Sequence, residues 1–94
     1  MSNPVPVDII QQELDSLSGW EFIDNKLVKV FKAKGFRDAI AALVRLSYEC
    51  EELDHHPEIH NVYNTTRISL TTHDAGDLVT EKDLLLARKI DEIM

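Results

Sequence analysis

A single cysteine, Cys50, rules out an intrachain disulfide framework and fits a reducing compartment, so a cytoplasmic location is expected. Only 3 glycines and 3 prolines leave no low-complexity linker, and 94 residues leave no room for a second self-sufficient core. No stretch approaches the roughly 18 apolar residues that cross a bilayer. The start of the chain, with Pro4 and Pro6, has no basic region followed by an apolar run, so neither a targeting segment nor a membrane anchor is expected. Cations are scarce as well. Lys and Arg number 10 against 17 Asp and Glu, a net charge of -7 and a pI near 4.9, which opposes phosphate backbones and anionic lipid surfaces. Nucleic acid and membrane are therefore excluded as expected partners.

What is present is a folding composition: 44% hydrophobic and 29% charged residues predict one soluble globular domain over residues 1–94. So small a chain buries only about 60% of its unfolded surface, and self-association would add stability. Ile9, Ile10, Leu14 and Leu17 recur near the helical period over Asp8–Leu17, and Ser18-Gly19 stops them. Trp20-Glu21-Phe22-Ile23 and Leu27-Val28-Lys29-Val30-Phe31 are β-prone runs around Asp24-Asn25, the pattern of a hairpin. After Lys34-Gly35, residues Phe36, Ala39, Ile40, Leu43, Ser47 and Cys50 form the apolar stripe of a long helix ending around Leu53. Pro57 disfavours helix at His56, which puts the His55-His56 pair at the helix-to-loop junction.

Val62-Tyr63 and Thr66–His73 read as two further strands, with Ile68 and Leu70 on one face and Arg67, Ser69, Thr71 and His73 on the other. Thr80 followed by Asp83 is a capping box for a last helix from Glu81 to about Ile93, with Leu86, Ile90 and Ile93 as its stripe. The expected fold class is α+β: a four-stranded antiparallel sheet with helices packed on one face, in the order α-β-β-α-β-β-α.

All 4 histidines lie between His55 and His73, amid Glu49, Glu51, Glu52, Asp54 and Glu58. Imidazole, with an ordinary pKa of about 6.5, both gives and takes protons near neutrality, and a nearby carboxylate favours its charged form or fixes its tautomer. General acid/base chemistry is one coherent reading; histidines solvated at a helix end are the simpler one. A metal site is weaker, because adjacent histidines seldom aim at one ion and no H-x-x-x-H or E-x-x-H spacing is present. A thiolate mechanism is weaker still, because Cys50 falls on the apolar stripe.

Glu51-x-x-x-His55-His56-Pro57, then Tyr63, then Thr72-His73-Asp74-x-Gly76, then Asp83 resemble, in order and spacing, the signature of the pterin-4a-carbinolamine dehydratases. The similarity runs from Leu17 to Ile93 and takes in Trp20, Phe31 and Phe36. One loop departs. Where the family often has Gly-Gly-Leu-Thr, this chain reads Gly76-Asp77-Leu78-Val79-Thr80, an acidic replacement with an added residue that bears on the loop path and on the aim of Asp83.

The resemblance implies dehydration of 4a-hydroxytetrahydropterin to quinonoid dihydropterin, which recycles the cofactor of aromatic amino acid hydroxylases, with no metal and no organic cofactor. It carries the catalytic role to His55, His56 and His73, the pocket carboxylates to Glu51, Asp54 and Asp83, and a pocket-edge aromatic to Trp20. It also implies dimers pairing into a tetramer through sheet edges and helices, and admits a hydroxylase or another protein as partner. A non-catalytic oligomerisation or assembly module and a pterin-binding protein for another pathway stand as the alternative functions.

Beside these stand structural readings. Asp83 is the N3 residue of the capping box, and Trp20 is a hairpin anchor. Tyr63 is a core residue with its hydroxyl at the surface, His60 a solvated loop residue, and Asn61 and Asn64 turn formers.

Overall fold

The computed structural model describes residues 3–94, in the order α1 (Val7–Leu14), β1 (Glu21–Ile23), β2 (Lys26–Lys32), α2 (Phe36–Leu53), β3 (Glu58–Val62), β4 (Thr65–Leu70), a 3-10 turn (His73–Ala75) and α3 (Glu81–Ile93). The strands are antiparallel in the order β1-β2-β4-β3. The hairpin between β1 and β2 turns on Asp24 and Asn25 at φ 51° and 64°, left-handed values that short polar side chains tolerate and that match strand twist.

Alternation decides the faces. Leu27 on β2 and Thr66, Ile68 and Leu70 on β4 are buried against the helices, while Val30 and Arg67 point to the open face. The core joins these to Ile10, Leu17 and Trp20, to Leu46 and Cys50 of α2, and to Leu84, Leu86, Ala87 and Ile90 of α3. Arg88 ties α3 to α1 through Glu13 at 3.1 Å. The helices share one face of the sheet, as expected.

Several local expectations change. The first helix stops at Leu14; Leu17 is buried from the following turn, where its N–H donates to the Leu14 carbonyl. His60 lies on edge strand β3 opposite Arg67, and Asn61 opposite Thr66, because pairing begins directly after Pro57. Tyr63 is 63% exposed at φ 53°: the Val62↔Thr65 pair closes a two-residue turn, which places Tyr63 at a turn position and leaves it no core to enter. Asn64 does form the turn, and its side chain clamps the Ala33 carbonyl at 3.1 Å. On α2, Ala39, Leu46 and Cys50 are buried, whereas Phe36 and Ile40 of the expected stripe are exposed.

The register positions the histidines. Glu58 pairs with Ser69, so the residues just before β3 and just after β4 emerge at the same end of the sheet. His55 and His56 precede β3; Thr72 and His73 follow β4. Side chains 17 positions apart are thereby delivered to one place by a single hairpin.

Candidate active site

At that end of the sheet lies a cleft of about 430 Å³, lined by Asp54, His55 and His56 from the α2–β3 junction, Thr72, His73 and Asp77 after β4, and Lys82 of α3, among others. Its lining is rich in polar groups.

The junction is built by a left-handed cap. Asp54 ends α2 at φ 50°, and the following His55 N–H returns to the Cys50 carbonyl at 2.9 Å. Pro57 then forbids further helix. Reversing direction over one residue sends the two imidazoles apart: His55 is buried, whereas the His56 side chain stays 61% exposed.

Each of the three cleft histidines carries its own carboxylate. His55 Nε2 donates to Asp83 Oδ1 at 2.5 Å. His56 Nε2 donates to Glu51 Oε2 at 2.7 Å, and His73 Nδ1 to Asp77 Oδ1 at 3.0 Å. A carboxylate that takes one ring N–H fixes the tautomer and leaves the other nitrogen for proton exchange. The free nitrogen is thus Nδ1 in His55 and His56 but Nε2 in His73. The His73 pKa is raised, first by the hydrogen bond to Asp77 and then by its charge.

Asp83 is fully buried, and its second oxygen is occupied as well: Oδ2 accepts from the Thr80 N–H at 2.9 Å and the Thr72 hydroxyl at 2.8 Å. Thr72 also meets the Thr80 hydroxyl at 2.6 Å. One carboxylate therefore closes the capping box of α3 and orients His55. The capping-box reading of Asp83 describes it, and it meets the cleft through His55.

Of the other sequence-derived candidates, Asp54 lines the cleft. Glu51 meets it through His56 and itself borders a neighbouring apolar hollow of about 260 Å³ with Leu43, Leu46 and Ile59. Trp20 is not among the lining residues. It is 4% exposed in the core, donates Nε1 to the Asp91 carboxylate at 3.0 Å and packs edge-on against Phe31, as a hairpin anchor does. His60 also lies outside the cleft lining. Cys50 is buried and its thiol is pushed up by that burial and by Glu51 and Glu49, which suits a core residue. Among the described residues, no group of three His, Cys, Asp or Glu side chains is arranged to hold a metal ion.

Thr72, Asp77 and Lys82 were not singled out from the sequence as site residues. Strand alternation carries a signal for Thr72, which continues the inward series Thr66, Ile68, Leu70. The i,i+4 spacing carries one for the His73–Asp77 pair.

The family model described as pterin 4 alpha carbinolamine dehydratase matches residues 3–93. The chain belongs to this family. A dehydratase-family relative from Opitutus terrae, provisionally named a pterin-4-alpha-carbinolamine dehydratase, is 45% identical over 84 residues, which cover 89% of this chain and 87% of the relative. Another with the same provisional name, from Christiangramia forsetii, is 39% identical over 94 residues, covering 100% and 96%. The crystal structure of a transcriptional coactivator/pterin dehydratase from Brucella melitensis superposes with a TM-score of 0.92 at 34% identity, covering 97% of this chain and 98% of that one. In this dehydratase-family chain the departing loop is closed by the Thr72 N–H on the Leu78 carbonyl at 2.9 Å, which leaves Asp83 aimed at His55.

Proposed function

We propose that the protein dehydrates 4a-hydroxytetrahydropterin to quinonoid dihydropterin and water, with His55, His56 and His73 as the proton-transferring groups. The observation that carries this reading is the three imidazoles on one cleft, each bonded to a carboxylate through one nitrogen, in a chain of this family. The C4a–O electron pair leaves with the hydroxyl, which takes a proton from an imidazolium. A ring nitrogen of the pterin supplies the pair for the new C=N bond and gives its proton to a neutral imidazole. No electron is gained or lost overall, and histidine serves both directions near neutral pH.

In this scheme Asp83 and Glu51 orient His55 and His56, and Asp54 lines the cleft. The product is the oxidised form of a hydroxylase cofactor ready for reduction, so the reaction belongs to cofactor recycling in a reducing compartment. Decay of chemically generated 4a-carbinolamine, followed by absorbance with and without protein, tests the reading. Acceleration lost in His56→Ala and His73→Ala supports it, and no acceleration by the wild type overturns it.

A contact between copies of the chain accompanies this function. Phe36, Ile40, Val44 and Tyr48 recur every four residues along α2 and are 55%, 37%, 54% and 72% exposed, an apolar row that association would cover.

A further inference from the structure

Resting on the proposed role of the cleft, we infer that Asp77 is a positioning residue for His73, gripping its Nδ1 so that Nε2 is the nitrogen left to exchange a proton with a ligand. Three observations converge on it. The first is the contact itself, Asp77 Oδ1 at 3.0 Å from Nδ1, with both residues lining the cleft.

The second is backbone cost. Asp77 sits at φ 60° directly after Gly76 at φ 75°, a left-handed position that glycine fills without strain. Aspartate commonly settles there by bonding nearby backbone with its own side chain. Here the only hydrogen-bond partner of the Asp77 carboxylate among the described residues is His73.

The third is rigidity. The loop is closed by the Asp77 N–H on the Thr72 carbonyl at 3.1 Å, the Gly76 N–H on the His73 carbonyl at 3.0 Å and the Thr72–Leu78 bridge. The pair is solvent-exposed, yet both partners ride on one pinned turn.

The charges around His73 favour its cationic form. Asp74 and Asp77 lie on its own turn, Asp54 and Glu58 face it from the α2–β3 segment with His55 and His56, and Lys82 of α3 is the opposing cation. Only Asp77 is bonded to the ring, and it is the leading cause of the upward shift, with Asp74 adding a smaller push and desolvation opposing. An imidazole whose cationic form is favoured, at the border of the cleft, suits delivery of a proton to a leaving hydroxyl.

The test is a nitrogen-15 NMR titration of His73 in the wild type, Asp77→Asn and Asp77→Gly. Asp77→Asn keeps an acceptor for Nδ1–H and removes the charge; Asp77→Gly removes both and relaxes the backbone. The expected result is a lower titration midpoint in both variants. The Nδ1–H tautomer should persist in Asp77→Asn and give way in Asp77→Gly to the mixture of a free imidazole. Where the wild type dehydrates carbinolamine, kcat should fall roughly tenfold in Asp77→Gly with KM held, a part of the roughly 100-fold to 10,000-fold that a positioned acid/base group supplies. Unchanged midpoint and tautomer in Asp77→Gly would overturn the inference, as would a shifted midpoint with unaltered kcat. A wild type without dehydratase activity would overturn the reading of the cleft while the titration still decides the Asp77–His73 relation.

Discussion

His55 and Asp83, 28 residues apart in the chain, meet in the interior: Nε2 donates to Oδ1 at 2.5 Å, with the carboxylate fully buried and the imidazole side chain 8% exposed. Asp83→Ala would strand the His55 N–H, the Thr80 N–H and the Thr72 hydroxyl where water does not reach them. A loss of about 3–5 kcal/mol in urea unfolding is expected, the range for removing one partner of a buried pair. Asp83→Asn keeps the shape but turns an amide N–H toward one of three donors. It should cost less stability, about 1–3 kcal/mol, and still lower turnover by about 100-fold or more by misplacing the His55 tautomer.

The exposed member of the histidine pair should behave oppositely. His56→Ala removes a side chain that is 61% exposed, so the unfolding free energy should change by no more than about 0.5 kcal/mol. Dehydration should fall by roughly 100-fold to 10,000-fold, the usual worth of one acid/base group. A parallel loss of stability and activity would place His56 in the scaffold instead.

The contrast between these residues marks what the sequence discloses. The Thr80–Asp83 capping box is a local pattern and is read directly, as are the Asp24-Asn25 turn and the inward face of Ile68 and Leu70. That the oxygens of Asp83 not only cap α3 but reach His55 depends on how the β3–β4 hairpin lands on the sheet, which no local pattern encodes. Tyr63 and Trp20 show the same limit. An aromatic ring reads as core or as pocket edge only once tertiary packing is known, and a turn needing two residues took Tyr63 to the surface.

Cys50 offers a chemical check of the core. Burial raises its pKa above the ordinary 9.0, so the folded thiol keeps its proton, and alkylation at mildly alkaline pH should be slower than in denaturant by a factor on the order of 1,000 or more. A raised thiol pKa favours the folded state only while the unfolded thiol is also protonated. Above about pH 9 the unfolded form gains from ionising, and stability should decline. Equal alkylation rates with and without urea would refute the placement of Cys50.

The sign for His73 follows from its raised pKa. A group that binds its proton more tightly when folded adds stability below the unfolded value, near 6.5, and loses it as pH rises through the higher folded value. Wild type should therefore exceed Asp77→Asn in urea midpoint at about pH 5.5, and the gap should close by about pH 9. A gap that widens with pH would contradict the pairing.

The exposed row on α2 predicts association. Val44→Glu places a charge in its middle, on a face already open to solvent, so the circular dichroism spectrum should stay as in the wild type. Sedimentation velocity should show a multimer for the wild type and a smaller species for the variant. Identical sedimentation would remove this face as the contact.

One consequence of the β3–β4 hairpin concerns time rather than geometry. A one-residue slip of edge strand β3 against β4 would shift the His55-His56 segment along the sheet by about 3.3 Å and separate it from Thr72 and His73, while β4 stayed paired with β2 and every helix remained intact. Helices form from near neighbours, but strand pairing waits on loop closure and is the slower event. In refolding, far-ultraviolet ellipticity should return first and the cleft last, so the recovery of any dehydratase activity would time the docking of a single edge strand.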